Sequence, residues 1–349
     1  MAQNVLLPRL LAMKLSPTFK IARMRLAIAA ALGTLLVAPT AWAQANGYPN
    51  KPVKLIVSFP PGGFADLVGR SLAQALNQAW GQPVIIDNRP GGAGILASEL
   101  AAKAVPDGYT LYLATDGPFV INPYLYKTLP YHPINDFMNA ALVAYTPLAL
   151  VVNPQKADVK TVGEFVALAK TREMEKRPME YASGGSGGPH HLSMEALRML
   201  AGVDLTHIPY KGGSPALVDV VGGQVTTMFS AISTAVPFAK AGKIRILATG
   251  GARRSPMAPE VPTFAEAGFP GFEVGAWAGV VTPKGTPQAI VDKIEADVLK
   301  IVRDPQFQQK LPGVGAEPYP GTAAEFRKLI VKDQARYSKL IRDLNIKGD

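Results

Sequence analysis

Three glycine-rich stretches early in the chain place backbone donors where a strand-like run passes into a helical pattern. They are Ser58 to Asp66 (SFPPGGFAD), Arg89 to Gly94 (RPGGAG) and Thr115 to Pro123 (TDGPFVINP). A helix start with uncovered N–H groups, at the positive end of the helix dipole, attracts a carboxylate. Taken singly, the first loop is also readable as a plain Pro-Gly turn with Asp66 as a first-turn capping residue. All three fall at carboxyl ends of strands in one expected sheet, where open α/β domains place their ligands. None matches the dinucleotide or nucleotide triphosphate glycine motifs, so no cofactor is expected.

A fourth stretch, Ser183 to Leu192 (SGGSGGPHHL), again ends a strand and opens a helix, with hydroxyls and imidazoles close by. It contains a formal G-x-S-x-G around Ser186. A nucleophile elbow needs an acid and then a histidine far downstream, and no histidine follows His207. The neighbours His190 and His191 point in different directions at a helix start, and with Glu195 they supply too few ligands for a metal. No metal site and no catalytic residue are therefore expected. Tyr210 to Ser214 (YKGGS) joins another strand to a helix and offers Lys211 as a charge, or merely as a solvated turn lysine.

These loops need a scaffold, and the chain alternates strand-like and helix-like segments throughout, which predicts an α/β architecture with mainly parallel sheets. Lys54 to Ser58, Val84 to Ile86 and Thr110 to Ala114 are predicted strands. Helices over Asp66 to Ala79 and Ala93 to Ala104 complete a βαβαβ unit. A long apolar stretch, Ala140 to Val152, leads into a second alternating series. A strand-like segment from Phe272 to Thr282 returns to the first unit. Two amphipathic helices close the chain, marked by Ile290, Ile294, Val298 and Ile301, then by Phe326, Ile330, Tyr337, Ile341 and Leu344. Two crossings give two lobes: residues 44–151 with 277–349, and an inserted lobe over 152–276.

The first 43 residues are set apart as an export signal. Arg9, Lys14, Lys20, Arg23 and Arg25 precede the apolar run Leu26 to Val37, and Ala41-Trp42-Ala43 forms an A-x-A cleavage site before Gln44. The run is too short to span a bilayer. Translation starts at Met1, Met13 or Met24. The signal holds five of the 36 Lys and Arg and none of the 26 Asp and Glu, so only a small positive surplus remains beyond it. That surplus, without basic runs interleaved with aromatics, argues against nucleic acid as a partner. The absence of cysteine excludes disulfides, thiolate chemistry and lipid attachment at an N-terminal Cys.

Several motifs, taken in order, resemble the tripartite tricarboxylate transporter receptors, also called Bug receptors. They are FPPGGFAD, DNRPGGAG, PDGYTLYLAT, INPYLY, GSGGPHHL, HIPYKGGSPALVDVVGGQV, KIRILATGGARRSP, VPTFAEAGFPGFEV and TPKGTP. They cover the chain beyond the signal. The resemblance implies a two-lobed type II periplasmic binding protein fold with a ligand cleft between the lobes. It implies a soluble, non-enzymatic, monomeric receptor that captures a small organic carboxylate (a di- or tricarboxylate or an aromatic acid) and delivers it to the membrane permease subunits. A receptor reporting to a membrane sensor kinase is the alternative, and a periplasmic hydrolase a third reading.

Carried onto this chain, ligand contacts are expected from Gly62, Gly63, Phe64 and Asp66, and from Thr115, Asp116 and Gly117. Lobe 2 is expected to supply Ser183, Gly184, Ser186, His191 and Lys211. Ser230 stands where the family pattern often has an acid, which argues against pairing with a ligand ammonium. Phe64 and Trp277 add apolar surface if they face the cleft, and otherwise pack.

Overall fold

The computed structural model describes residues 47–344 and 346. The expected export signal and its cleavage site lie outside them. The first lobe opens with β1 (Val53–Val57), α1 (Phe64–Trp80), β2 (Val84–Asn88), α2 (Ile95–Ala102) and β3 (Thr110–Thr115). β1 pairs in parallel with β2 (Val53 with Val84) and with β3 (Leu55 with Leu111). Val53, Leu55, Ile56 and Val57 are all buried, as an apolar run does when helices cover both sheet faces. Val68, Leu72 and Leu76 recur every four residues on α1 and are fully buried, each contributing about 2 kcal/mol of burial. α1 stops at Gly81, whose left-handed φ of 64° lets its N–H return to the Asn77 carbonyl.

A short turn over Gly117–Ile121 and α3 (Asn122–Leu125) lead to β4 (Phe137–Val152), which belongs to both lobes. The second lobe continues with α4 (Val162–Met174), β5 (Met179–Ser183), α5 (Pro189–Ala201), β6 (Leu205–Pro209), α6 (Gly213–Val221), β7 (Thr227–Ala231), α7 (Ile232–Lys240) and β8 (Arg245–Thr249). The chain returns as β9 (Gly275–Pro283), followed by α8 (Gln288–Arg303), α9 (Pro305–Lys310), β10 (Glu317–Thr322) and α10 (Ala323–Asp343). The strand path is β2-β1-β3-β9-β4-β7-β5-β6, with β10 and β8 also paired to β4.

β4 pairs with β9 from Phe137 to Pro147, and with β7 from Leu148 to Val152. The partners thus change inside the strand, between Pro147 and Leu148. The return crossing is at Val274, whose carbonyl accepts the Leu148 amide at 3.0 Å. Sheets are parallel within each βαβ series, but β4, β8, β9 and β10 bring antiparallel pairs. A strand leaving a lobe and one returning to it side by side run in opposite directions. β10 carries Pro318 and Pro320, tolerated because it pairs only with β4, at the sheet edge.

The closing helices bury the faces that their spacing marks: Ile290, Ile294, Val298 and Ile301 on α8, and Phe326, Ile330, Tyr337 and Ile341 on α10. α8 packs with α1 over one face of the first sheet. α10 covers the other face, where Tyr112, Phe119, Trp277 and Phe326 cluster.

Candidate functional site

The three lobe 1 turns converge. The Ser58 and Tyr112 hydroxyls lie 2.5 Å apart, Tyr112 reaches Ser98 at 2.9 Å, and Ser98 donates to the Gly94 carbonyl at 3.0 Å. A Cβ on Gly94 would stand 2.6 Å from Pro118 and 3.2 Å from Ser58, so one glycine admits all three chains at close quarters. Asn122 completes the tie by donating to the Ala93 carbonyl. The first loop is also locked by Asp66, whose carboxylate accepts from the Gly62 amide, Arg70 Nε and Asn88 Nδ2, each at 2.9 Å.

In lobe 2 the loops after β5 and β6 lie side by side. The Tyr210 amide donates to the Ser183 carbonyl and the Gly212 amide to that of Gly184. A Cβ on Gly184 would meet the Gly213 nitrogen at 2.8 Å and His190 Nδ1 at 2.9 Å. Helices α1, α2, α5 and α6 therefore begin on Gly63, Gly94, Gly188 and Gly212, none with a side-chain cap. By contrast α4 and α10 carry Thr161 and Thr322 caps. The glycine starts leave first-turn donors for something else.

The lobes also touch. A Cβ on Gly187 would be 2.7 Å from Leu125, and one on Gly315 would be 2.4 Å from the Ser233 hydroxyl. These contacts join Gly187 of the loop before α5 to Leu125 of α3, and Gly315 to Ser233 of α7. A cavity of about 510 Å³ lies apart from them, lined by Tyr145, Arg253, Glu317, Asp333 and Arg336 among others. It includes Trp277 but no residue of the glycine loops.

Residues 68–346 match the model of the tripartite tricarboxylate transporter family receptor. The chain belongs to that family. Protein BugT of Bordetella pertussis is 32% identical over 305 residues, covering 87% of this receptor and 92% of that protein. An R. palustris protein solved with adipate superposes with a TM-score of 0.74 at 33% identity, covering 86% of the receptor and 99% of that chain. MatC from Rhodopseudomonas palustris, solved with bound malate, gives 0.70 at 33% identity over 84% and 100%.

Five of the expected contact residues have side chains already committed within the receptor, and a sixth, Asp116, is buried. Asp66 is 1% exposed and spends its carboxylate on Gly62, Arg70 and Asn88, and although burial opposes it, these hydrogen bonds hold its pKa below the ordinary carboxylate range. Ser183 is fully buried, with its hydroxyl between the Gly185 backbone and His207 Nε2 at 2.7 Å. The hydroxyl is thus held between two groups of its own lobe. His191 Nδ1 accepts the Gly187 amide at 2.9 Å and its ring stacks on His207. The Ser230 hydroxyl meets Thr234 at 3.0 Å. Asp116 is buried toward Asp333 and Arg336 of α10, which act on its charge. Trp277 is 2% exposed, donates to Asp333 at 3.1 Å and packs edge-on against Phe326. It is therefore a core residue.

Gly62, Gly63 and Lys211 are exposed, Gly117, Gly184 and Ser186 are half-buried, and Phe64 packs partly on the lobe 1 core. The Thr115 hydroxyl is buried without a hydrogen-bond partner among the described residues. His190 and His207 were not expected at the site. His190 lies against Gly184 and Gly213, where burial lowers its pKa to about 4. His207 arrives through the β5–β6 register, which aligns it with Tyr181, and no local pattern encodes that register. Among the described residues no group of three His, Asp or Glu is placed to hold a metal, and no helix is long and apolar enough to cross a membrane.

Proposed function

We propose that this receptor captures a small organic carboxylate between its lobes and delivers it, in the periplasm, to the permease of a tripartite tricarboxylate-type transporter. The observation that carries this reading is the set of glycine helix starts without side-chain caps, two in each lobe. Such starts give an anion backbone donors and a favourable dipole without a fixed cation. The solved relatives holding adipate and malate support the class.

Gly63, Gly117, Gly184 and Ser186 are the cradle, Gly62 being held by Asp66, Thr115 has a spare hydroxyl for it, and Lys211 adds charge at its rim. With Ser230 in place of an acid, ligands without an amine are favoured. The strand exchange supports lobes of 48–147 with 275–344, and 148–274, that close as a hinge around bound ligand without making or breaking a bond. The receptor acts as a monomer.

A thermal-shift series with adipate, malate, citrate and benzoate tests the class. A ligand at 100 times its Kd stabilises the protein by about 2.7 kcal/mol. The same ligand contracts the molecule in small-angle scattering. Stabilisation by amines or sugars alone, with every carboxylate inert, removes the proposal.

A further inference from the structure

The lobe 2 cradle hangs on a titratable acceptor. The Gly187 amide donates to His191 Nδ1 at 2.9 Å, so that nitrogen carries no proton and the ring's single proton is on Nε2. We propose that His191 is the positioning residue of the Gly184–Gly188 loop, and that the loop keeps its ligand-holding shape only while this ring is neutral. The functional consequence, proton-linked capture, rests on the carboxylate reading above.

Protonation would place an N–H on Nδ1 directly opposite the Gly187 N–H, and two donors cannot share that contact. The surroundings do not favour a second charge either. His207 stacks on His191 with centroids 4.0 Å apart and planes 5° from parallel, and Tyr181 stacks on His207 at 4.9 Å. Two imidazolium rings at that distance would repel.

The nearby anion is already engaged: Glu195 accepts from Arg198 at 2.7 and 2.8 Å and from the Tyr181 hydroxyl at 2.5 Å. Arg198 in turn binds Asp204 at 2.5 Å. Burial accordingly lowers His191 to about 4, with His207 pushing the same way, and His207 itself is lowered by burial. His190, the adjacent ring, is lowered to about 4 by burial as well.

Gly187 is also the residue that meets Leu125 of lobe 1. A change in the loop at Gly187 therefore disturbs the cradle and the closed contact together. Lobe closure and the His191 proton are linked through one amide.

Asn is the informative replacement, because its Oδ1, like His Nδ1, is bonded to Cγ and accepts at the same place without titrating. Nitrogen NMR of the wild-type protein at pH 7 is expected to show an unprotonated His191 Nδ1 and a Gly187 amide protected from exchange. Protection falls as the ring protonates near pH 4, and in His191→Asn it persists across that range. Calorimetry with adipate as probe is expected to show the wild-type affinity, relative to His191→Asn, falling about twofold between pH 7 and pH 4, as half the molecules lose the competent loop. Protonation of adipate cancels in that ratio. His191→Ala, with no acceptor, binds more weakly at every pH.

A protonated Nδ1 at pH 7, an unprotected Gly187 amide, or identical pH profiles in wild type and His191→Asn would each overturn the proposal. The NMR measurements need no ligand. If no carboxylate bound at any pH, the carboxylate reading would fail while the role of His191 was still decided. Were His191→Asn not to fold, the wild-type titration alone would decide it.

Discussion

Gly187 of lobe 2 lies against Leu125 of lobe 1 so closely that a Cβ on the glycine would stand 2.7 Å from the leucine Cδ1. Its φ of +73° also disfavours any L side chain. Gly187→Ala therefore opposes the closed form both by contact and by backbone strain. Adipate affinity is expected to fall at least about tenfold, or ~1.4 kcal/mol, and scattering at saturating adipate to remain expanded. Adding Leu125→Ala, which removes the Cδ1, should restore part of both. A single variant that closed and bound like the wild type would show that this contact does not limit closure.

Recognition by backbone predicts that a glycine matters more than the nearby cation. A Cβ on Gly63 meets nothing nearer than the Pro60 carbonyl at 3.8 Å, and its φ of −84° suits any residue, so Gly63→Val is expected to fold normally. The new side chain instead occupies the approach to the α1 amides. Loss of one or two charge-assisted hydrogen bonds, roughly 1.5 to 3 kcal/mol each, gives at least a tenfold weaker adipate complex by calorimetry. Lys211 is exposed and forms no ion pair among the described residues, so Lys211→Ala should cost less. The reverse ranking would place recognition on the lysine.

What the residues disclosed, and what they hid, follows from the range of the interactions. The βαβ units, the convergence of the glycine turns and the buried faces of α8 and α10 all arise from local periodicity and strand-to-helix chemistry. Commitments of individual polar side chains do not. Asp66 looks like an available carboxylate until Asn88, 22 residues away, is brought onto it. Ser183 looks like a ligand hydroxyl until His207 reaches it from the neighbouring strand. Trp277 is taken by Asp333, 56 residues further along. The edge strand β10 has no alternating apolar pattern of its own, only Pro318 and Pro320 in a six-residue run.

The Asp66 lock gives a stability prediction. Asp66→Ala leaves the Gly62 amide, Arg70 and Asn88 without their shared acceptor, a loss of about 2–3 kcal/mol in urea denaturation at pH 7. Because the folded pKa is held below the unfolded value of 3.8, the carboxylate's contribution is present above 3.8 and lost as pH falls through the folded value. The gap between wild type and variant should therefore narrow under acid. A gap independent of pH would mean that the ionised form is not what holds the loop.

Asp116 carries the opposite pH signature. Its carboxylate is 4% exposed, and its Oδ2 has no partner among the described residues. Burial raises its pKa to about 7, the nearby Asp333 adds to the rise, and hydrogen bonds from the Gly117 and Asp116 amides only partly offset it. Between 3.8 and 7 the unfolded chain carries the charge while the folded one holds the proton. The group's stabilising contribution is thus fully present below 3.8 and lost as pH rises through 7. Asp116→Asn keeps the shape without the charge, so it should match the wild type near pH 4 and exceed it at pH 8 by on the order of 4 kcal/mol. Adipate affinity should change little, because Arg336, Asp333 and Tyr337 of α10 are the groups that share its electrostatic surroundings. If Asp116→Asn altered affinity more than about fivefold while leaving the pH dependence of stability unchanged, the carboxylate would belong to the ligand cleft rather than to the packing under α10.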